Sequence, residues 1–177
     1  MKNSKLIALS AVSTALALIF LTLGVFLDVF DLSGLFMASM CVMLPLGKKS
    51  VKAGFFTYLA TAILCLIFFV GIKYEIVLGY ALFCGVHPII NYIFRQKKFN
   101  VVLGGAIKTV WFVGVLLLLY TVSKNFLFSQ SILDNEIFQR FAYLILTVLG
   151  GAVFLIYDFI MFRFQRAVDL IVVKLKL

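Results

Sequence analysis

Long apolar stretches, separated by short groups of charged residues, make up nearly the whole chain. An α-helix needs about 20 mostly apolar residues to cross the hydrocarbon core of a membrane. The pattern therefore predicts six transmembrane helices, of which the second is short and can be extended by residues 29–36 or met by a thinner bilayer. The predicted spans are Leu6–Leu27, Leu35–Leu46, Ala53–Gly71, Ile76–Phe94, Val101–Val122 and Ile137–Phe162.

Basic residues collect in every second connection between these spans. Cytoplasmic loops of membrane proteins carry an excess of Lys and Arg, and one span more or fewer would reverse every later loop. The distribution therefore favours six spans with both termini in the cytoplasm, whereas the opposite loops hold only Lys73, Lys124 and Arg140. The basic residues on the cytoplasmic side are Lys2, Lys5, Lys48, Lys49, Lys52, Arg95, Lys97, Lys98, Arg163, Arg166, Lys174 and Lys176.

Composition excludes a water-soluble fold. The chain has 177 residues, of which 64% are hydrophobic and 13% charged, whereas soluble domains are about 45–50% apolar and about 25% charged. We expect an all-α integral membrane protein, a compact bundle of six transmembrane helices in a single domain over residues 1–177. The net charge of +9 then reflects topology and binding to anionic lipid headgroups, and nucleic acid is not an expected partner.

Three ionisable residues fall inside predicted spans: His87, Lys108 and Asp158. Such residues are costly in a membrane, so an intramembrane polar cluster is one hypothesis. The structural alternative is that Lys108 reaches the headgroups or pairs with Asp158, while His87 satisfies a backbone carbonyl freed by Pro88. The cluster would belong to a proton- or ion-coupled carrier, which is the least favoured of three functional hypotheses.

Nothing in the sequence indicates an enzyme. With a single His, a His-based metal cluster is impossible, and HExxH, GxSxG and P-loop patterns are missing. No metal or other cofactor is expected, and the three cysteines lie in apolar spans as packing residues. Asp28 and Asp31 could together bind a cation on the outer face, although a solvated acidic pair is the more common case.

Ligand contacts are expected at the outer ends of helices four to six. The connection from Lys124 to Glu136 is the richest polar stretch of the chain, and long loops carry function more often than short ones. Side chains that combine hydrogen-bonding groups or aromatic faces with the right depth are the candidates. They are Tyr74, Tyr80, Asn125, Gln139, Arg140 and Tyr143.

Helix one carries a face of small residues. Ala11 and Ala15 lie on one side of the helix, with Ala8 and Ser4 about one turn back. Small residues let helices approach closely in lipid. The pattern predicts a close helix contact, either inside the protein or with a partner.

These features together resemble the substrate-binding S components of energy-coupling-factor (ECF) transporters, which are bacterial importers of vitamins and trace nutrients. The resemblance rests on the size, on six spans with both ends inside, and on the basic start into an Ala-rich helix over Lys5–Ala11. Ala11 and Ala15 match the family's AxxxA motif, and Gly34–Gly54 looks like its short second helix, turn and third helix. The match covers roughly the first 70 residues, and beyond them only the topology agrees.

The resemblance implies a membrane subunit that captures a small molecule on the extracellular side of a bacterial cell membrane. It would dock through Ala11 and Ala15 on a transmembrane coupling protein, and partner ATPases would hydrolyse ATP. The connection between helices one and two departs from the family, because it is only a few residues long where S components often have a substrate-covering segment. MreD, a rod-shape protein that resembles S components in topology, gives the alternative of a non-transporting scaffold.

Overall fold

The computed structural model describes residues 2–122 and 136–174, and every regular element in these ranges is helical. Five helical runs there are long and apolar enough to cross a membrane, which indicates a multi-pass membrane protein. A 3-10 turn, Asp28–Phe30, precedes the second helix, and a π-helical turn, Tyr80–Cys84, follows the third. The helices are α1 Lys2–Phe26, α2 Asp31–Gly47, α3 Val51–Gly79, α4 His87–Gln96, α5 Val101–Val122 and α6 Glu136–Lys174.

The chain forms two compact units. The first contains Met1–Lys98 together with Met161–Leu177, and the second contains Phe99–Ile160. The first unit therefore includes α1 to α4 and the last part of α6. The second unit is a pair formed by α5 and the preceding part of α6. The polar connection predicted to hold ligand contacts, at residues 123–135, lies outside the described residues.

Predicted spans three and four are joined in one helical run over Val51–Gln96. Lys73 is the break within it, with φ −149° and ψ 74° inside α3. The hydroxyl of Tyr58 donates a hydrogen bond of 2.9 Å to the carbonyl of Ala81, 23 residues later. In a straight helix these residues would lie about 35 Å apart. The run therefore doubles back between them, and a single non-helical residue separates the two halves where a loop was predicted.

Close packing of α1 on α2 depends on glycine. A Cβ added to Gly34 would lie 2.6 Å from the backbone oxygen of Phe20 and 3.1 Å from the Cα of Gly24. No side-chain movement can relieve a contact with backbone atoms. In lipid, such backbone approach is a main source of helix association, so Gly34 fixes how α2 lies against α1.

Helix six is longer than predicted. The apolar pattern and Arg163 indicate an end at Phe162 with a basic tail, but α6 continues to Lys174. The continuation has a buried stripe at the four- and seven-residue spacing of one helix face. The buried residues of this stripe are Met161, Gln165 and Val172.

This part of α6 packs along α2 within the first unit. The Phe164 ring meets the Phe36 ring edge-on at 6.2 Å between centroids, and a Cβ added to Gly47 would lie 3.1 Å from Val172. Because the two contacts follow both helices in the same order, this part of α6 runs parallel to α2. The predicted tail is thus an integral helix of the first unit.

In the second unit, α5 and α6 pair along a regular antiparallel face. Each step of four residues along α5 matches a step of four residues back along α6, which is the spacing of neighbours on one helix face. Leu116 fills the space left by Gly150, where an added Cβ would lie 2.5 Å from Leu116 Cδ2. The successive layers are Lys108 with Asp158, Phe112 with Phe154, Leu116 with Gly150, and Tyr120 with Leu146.

Candidate functional site

The small-residue face of α1 points away from the packed interior. Ala11 and Ala15 are exposed, and so are Ala8 and Ser4. A different face of the helix packs within the first unit, and its buried residues are Ser13, Ala17, Leu21, Gly24 and Val25. Within the first unit, this face is therefore not used for packing.

The residues predicted to contact a ligand have different surroundings. In the first unit Tyr74 is exposed, whereas Tyr80 is fully buried. In the second unit Tyr143 is exposed and meets Tyr120 edge-on at 5.7 Å. Arg140 lies with its guanidinium 5.6 Å from the centre of the Phe141 ring. Asn125 lies outside the described residues, as does the side chain of Gln139.

Tyr80 begins the π-helical turn. The N–H of Gly85 donates to the carbonyl of Tyr80 at 2.9 Å, which is the five-residue spacing of a π-helix. A Cβ on Gly85 would lie 2.5 Å from Cδ2 of Tyr58, so the missing side chain admits this ring. The Tyr58 hydroxyl then reaches the Ala81 carbonyl. The turn thus holds the two halves of the α3–α4 run together.

Pro88 leaves the carbonyl of Cys84 without the N–H that a regular helix would supply four residues later. The Oγ of Ser39 donates to this carbonyl at 2.6 Å, and the expectation that His87 satisfies a freed carbonyl stays a prediction. His87 is itself buried, with its ring 5.1 Å from the ring of Phe83. Sequence reasoning missed Ser39 because α2 contains two serines and nothing in the sequence says which one faces α4.

Lys108 and Asp158 form a close ion pair in the second unit. The Nζ of Lys108 lies 2.6 Å from each carboxylate oxygen of Asp158, and the lysine side chain is only 9% exposed. One turn further, Phe112 stacks on Phe154 at 5.2 Å between ring centres. The two opposite charges are thus in direct contact beside aromatic side chains. His87, the third residue of the predicted cluster, belongs to the first unit.

Lys73 joins the two carboxylates that were considered as a cation site. Its Nζ lies 2.7 Å from an oxygen of Asp28 and 2.7 Å from an oxygen of Asp31. The Asp31 side chain is 16% exposed and that of Asp28 is 93% exposed. The single charge of Lys73 is thus shared by two carboxylates and offsets one of their two negative charges, and the turn between α1 and α2 is tied to the reversal of α3.

Asp169 is an acidic residue on the side of the protein where the sequence pattern predicts basic ones. It pairs with the guanidinium of Arg95 at the end of α4, and Gln165 donates to its other oxygen at 3.0 Å. The Arg95 guanidinium also lies 5.5 Å from the centre of the Tyr92 ring. These contacts fix the last part of α6 to α4. A prediction that ends the helix at Phe162 leaves Asp169 without a role.

Comparisons of the chain with protein-family models, with curated proteins and with solved structures find no match.

Proposed function

We propose that this chain is the substrate-binding membrane subunit of an ECF-type importer of a vitamin or another micronutrient. The observation that carries the proposal is the exposed small-residue face of α1, at Ala11 and Ala15. Because α1 packs in its own unit through a different face, its small-residue face is available for contact with a second protein. Small side chains would let a coupling-protein helix approach closely.

The proposed topology is six spans with both termini in the cytoplasm of a bacterial cell. The reversal of the α3–α4 run at Lys73 supports counting this run as two spans, which raises the five apolar runs to six. The concentration of lysine and arginine at alternate connections supports the orientation.

The proposed cycle begins with capture of a small molecule on the outer side. Tyr74, Arg140 and Tyr143 keep exposed groups that suit this task, whereas Tyr80 is enclosed. The chain has no nucleotide-binding motif, so ATP hydrolysis is assigned to partner subunits. Docking through α1 would pass their conformational change to the loaded subunit.

Bulky substitutions on α1 test the docking step. Ala11→Trp and Ala15→Trp place a large ring where close helix approach is needed, so each should reduce recovery of the coupling protein and ATPases at least about tenfold, which is about 1.4 kcal/mol. The measurement is quantitative mass spectrometry of proteins that co-purify with tagged chain from native membranes. Partners are recognised by the nucleotide-binding motifs of the ATPases.

Ala152→Trp is the matched control, because it makes the same change at an exposed alanine of α6 in the second unit. It should leave recovery unchanged. Equal recovery with all three variants would show that α1 is not the docking helix. Equal loss with all three would indicate that any bulky surface residue disrupts assembly, which also removes the assignment to α1.

A non-transporting scaffold of the MreD type is the second candidate. The observation in its favour is the tight 3-10 turn Asp28–Phe30, tied by Lys73, at the place where S components often carry a substrate-covering segment. A small molecule retained through purification and identified by mass spectrometry supports the importer. A chain that never retains one, and whose partner contact does not involve Ala11 or Ala15, supports the scaffold.

A further inference from the structure

Two helices of the first unit end in the same unusual turn. After α2, Lys48 has φ −80° and Lys49 has a positive φ of 58°. After α4, Lys97 has φ −80° and Lys98 has a positive φ of 50°. Glycine is the common residue at such a position, because a side chain is strained there. Both turns place a lysine where glycine would be conformationally easier, and each presents two adjacent lysines.

The two turns lie at the same end of the first unit. Leu46, just before the first turn, packs with Tyr92 of α4, just before the second. The last part of α6 reaches the same end, because Val172 packs on Gly47 and Asp169 pairs with Arg95. The basic end is defined here as Lys48, Lys49, Lys52, Arg95, Lys97, Lys98 and Lys174.

The basic end has much more positive than negative charge. Asp169 is paired with Arg95. Within residues 2–122 and 136–174, no carboxylate lies in salt-bridge distance of the other six basic residues. Lysines that are neighbours in each turn repel one another, so an anionic ligand at this end gains attraction from several of them at once.

Exposed apolar side chains border the basic end. Phe55 and Phe56 follow Lys52 by one turn and are 47% and 63% exposed. Leu170 and Ile171 precede Lys174 by one turn and are 66% and 51% exposed. A purely acidic ligand such as polyglutamate would match only the charges. A phospholipid would place its phosphate among the lysines and its acyl chains against these apolar residues.

We propose that the basic end is a binding site for the phosphates of acidic phospholipids in the adjoining leaflet. Lys49 and Lys98, the two lysines with a positive φ, contribute charge to this site from the two turns, and Lys174 contributes charge from α6. The proposal requires that the chain lies in a membrane, and it holds whether the protein is an importer or a scaffold.

Lys49 and Lys98 have a positive φ, which glycine adopts more easily than lysine. Replacing them with glycine therefore distinguishes the effect of a lost charge from the effect of a folding defect. Lys49→Gly and Lys98→Gly each remove a charge and also relieve the strained backbone. Each should weaken enrichment of acidic lipid about fivefold, from about 1 kcal/mol of attraction per basic residue near an anionic surface. In nanodiscs of phosphatidylcholine alone, the melting temperature should be unchanged or higher. Loss of acidic-lipid binding together with equal or greater stability cannot be a folding defect.

The measurement compares the full chain in nanodiscs of phosphatidylcholine with and without phosphatidylglycerol, followed by quantification of the lipid that remains bound after detergent extraction. Lys49→Gln should lose enrichment as Lys49→Gly does, since both remove the charge. Arg140→Gln, which removes one exposed positive charge from the second unit, should keep it.

Several outcomes would overturn the proposal. Wild-type protein that binds both lipids equally has no acidic-lipid site. Equal loss with Arg140→Gln would show that overall charge, and not the basic end, attracts the lipid. Binding of polyglutamate to the same variants is measured as a probe for an acidic protein partner. Lysine variants that keep phosphatidylglycerol but no longer bind polyglutamate would assign the basic end to such a partner.

Discussion

Replacing the Lys108–Asp158 pair distinguishes a structural ion pair from a proton-transfer site. The lysine ammonium contacts both oxygens of one carboxylate at 2.6 Å, and the two side chains are 9% and 20% exposed. Removing either partner leaves a charge in apolar surroundings. Replacing both, as Lys108→Met with Asp158→Leu, leaves two apolar side chains of similar length in the same layer.

The expected magnitudes differ strongly between single and double variants. Breaking a buried pair from one side costs about 3–5 kcal/mol, while exchanging both partners for apolar residues is often neutral or stabilising. Each single variant should therefore lower the free energy of unfolding by about 3–5 kcal/mol, and the double variant by less than about 1 kcal/mol. Most proteins are stable by only about 5–15 kcal/mol, so the difference is large.

The assay is unfolding in mixed micelles with increasing sodium dodecyl sulfate, monitored by circular dichroism. It is applied to the wild-type protein, the two single variants and the double variant. A double variant as unstable as the two single losses added together would refute the structural pair. Substrate uptake supplies the second readout. A structural pair predicts that the double variant keeps uptake, whereas a carrier that moves protons through these residues predicts that uptake is lost although the protein folds.

Two further substitutions test individual contacts by the same unfolding assay. Gly34→Ala should cost about 1–3 kcal/mol, because its Cβ would lie 2.6 Å from a backbone oxygen of α1. Gly105→Ala, whose Cβ would meet nothing within 4 Å, should be neutral or stabilising by up to about 1 kcal/mol; similar losses for both would contradict the packing argument. Ser39→Ala should cost about 1–3 kcal/mol by leaving the Cys84 carbonyl without its donor. The loss should shrink when Pro88→Ala restores a backbone N–H, and an equal loss in both backgrounds would show that the hydrogen bond does not act through this carbonyl.

Much of the helix layout follows from the apolar pattern. Helix α5 covers the predicted residues 101–122, and the short second span is extended at its start to Asp31, as the residues before it allow. Several boundaries differ, and two of them change the architecture. The connection after span three is one non-helical residue, Lys73, because its ammonium is held by Asp28 and Asp31 in the turn between α1 and α2. Helix six passes Arg163 because the residues beyond it pack on α2.

The candidate sites depended on facts that no local pattern contains. The spacing of Ala11 and Ala15 identified a small-residue face, but only the structure separates this face from the one that packs inside. Lys108 and Asp158 could be proposed as partners from depth alone, whereas the pairing of Ser39 with Cys84 and of Asp169 with Arg95 joins residues 45 and 74 positions apart.

The sequence by itself determined that this is a helical membrane protein, roughly where its helices lie, and which connections carry the positive charge. Tertiary structure decided which face of each helix packs inside and which polar residues meet. The physical reason is that lipid and protein interior are both apolar, so leucine or phenylalanine suits either side of a transmembrane helix. Close contacts such as Gly34 on α1, and hydrogen bonds between distant residues, select one packing, and they exist only once the helices are assembled.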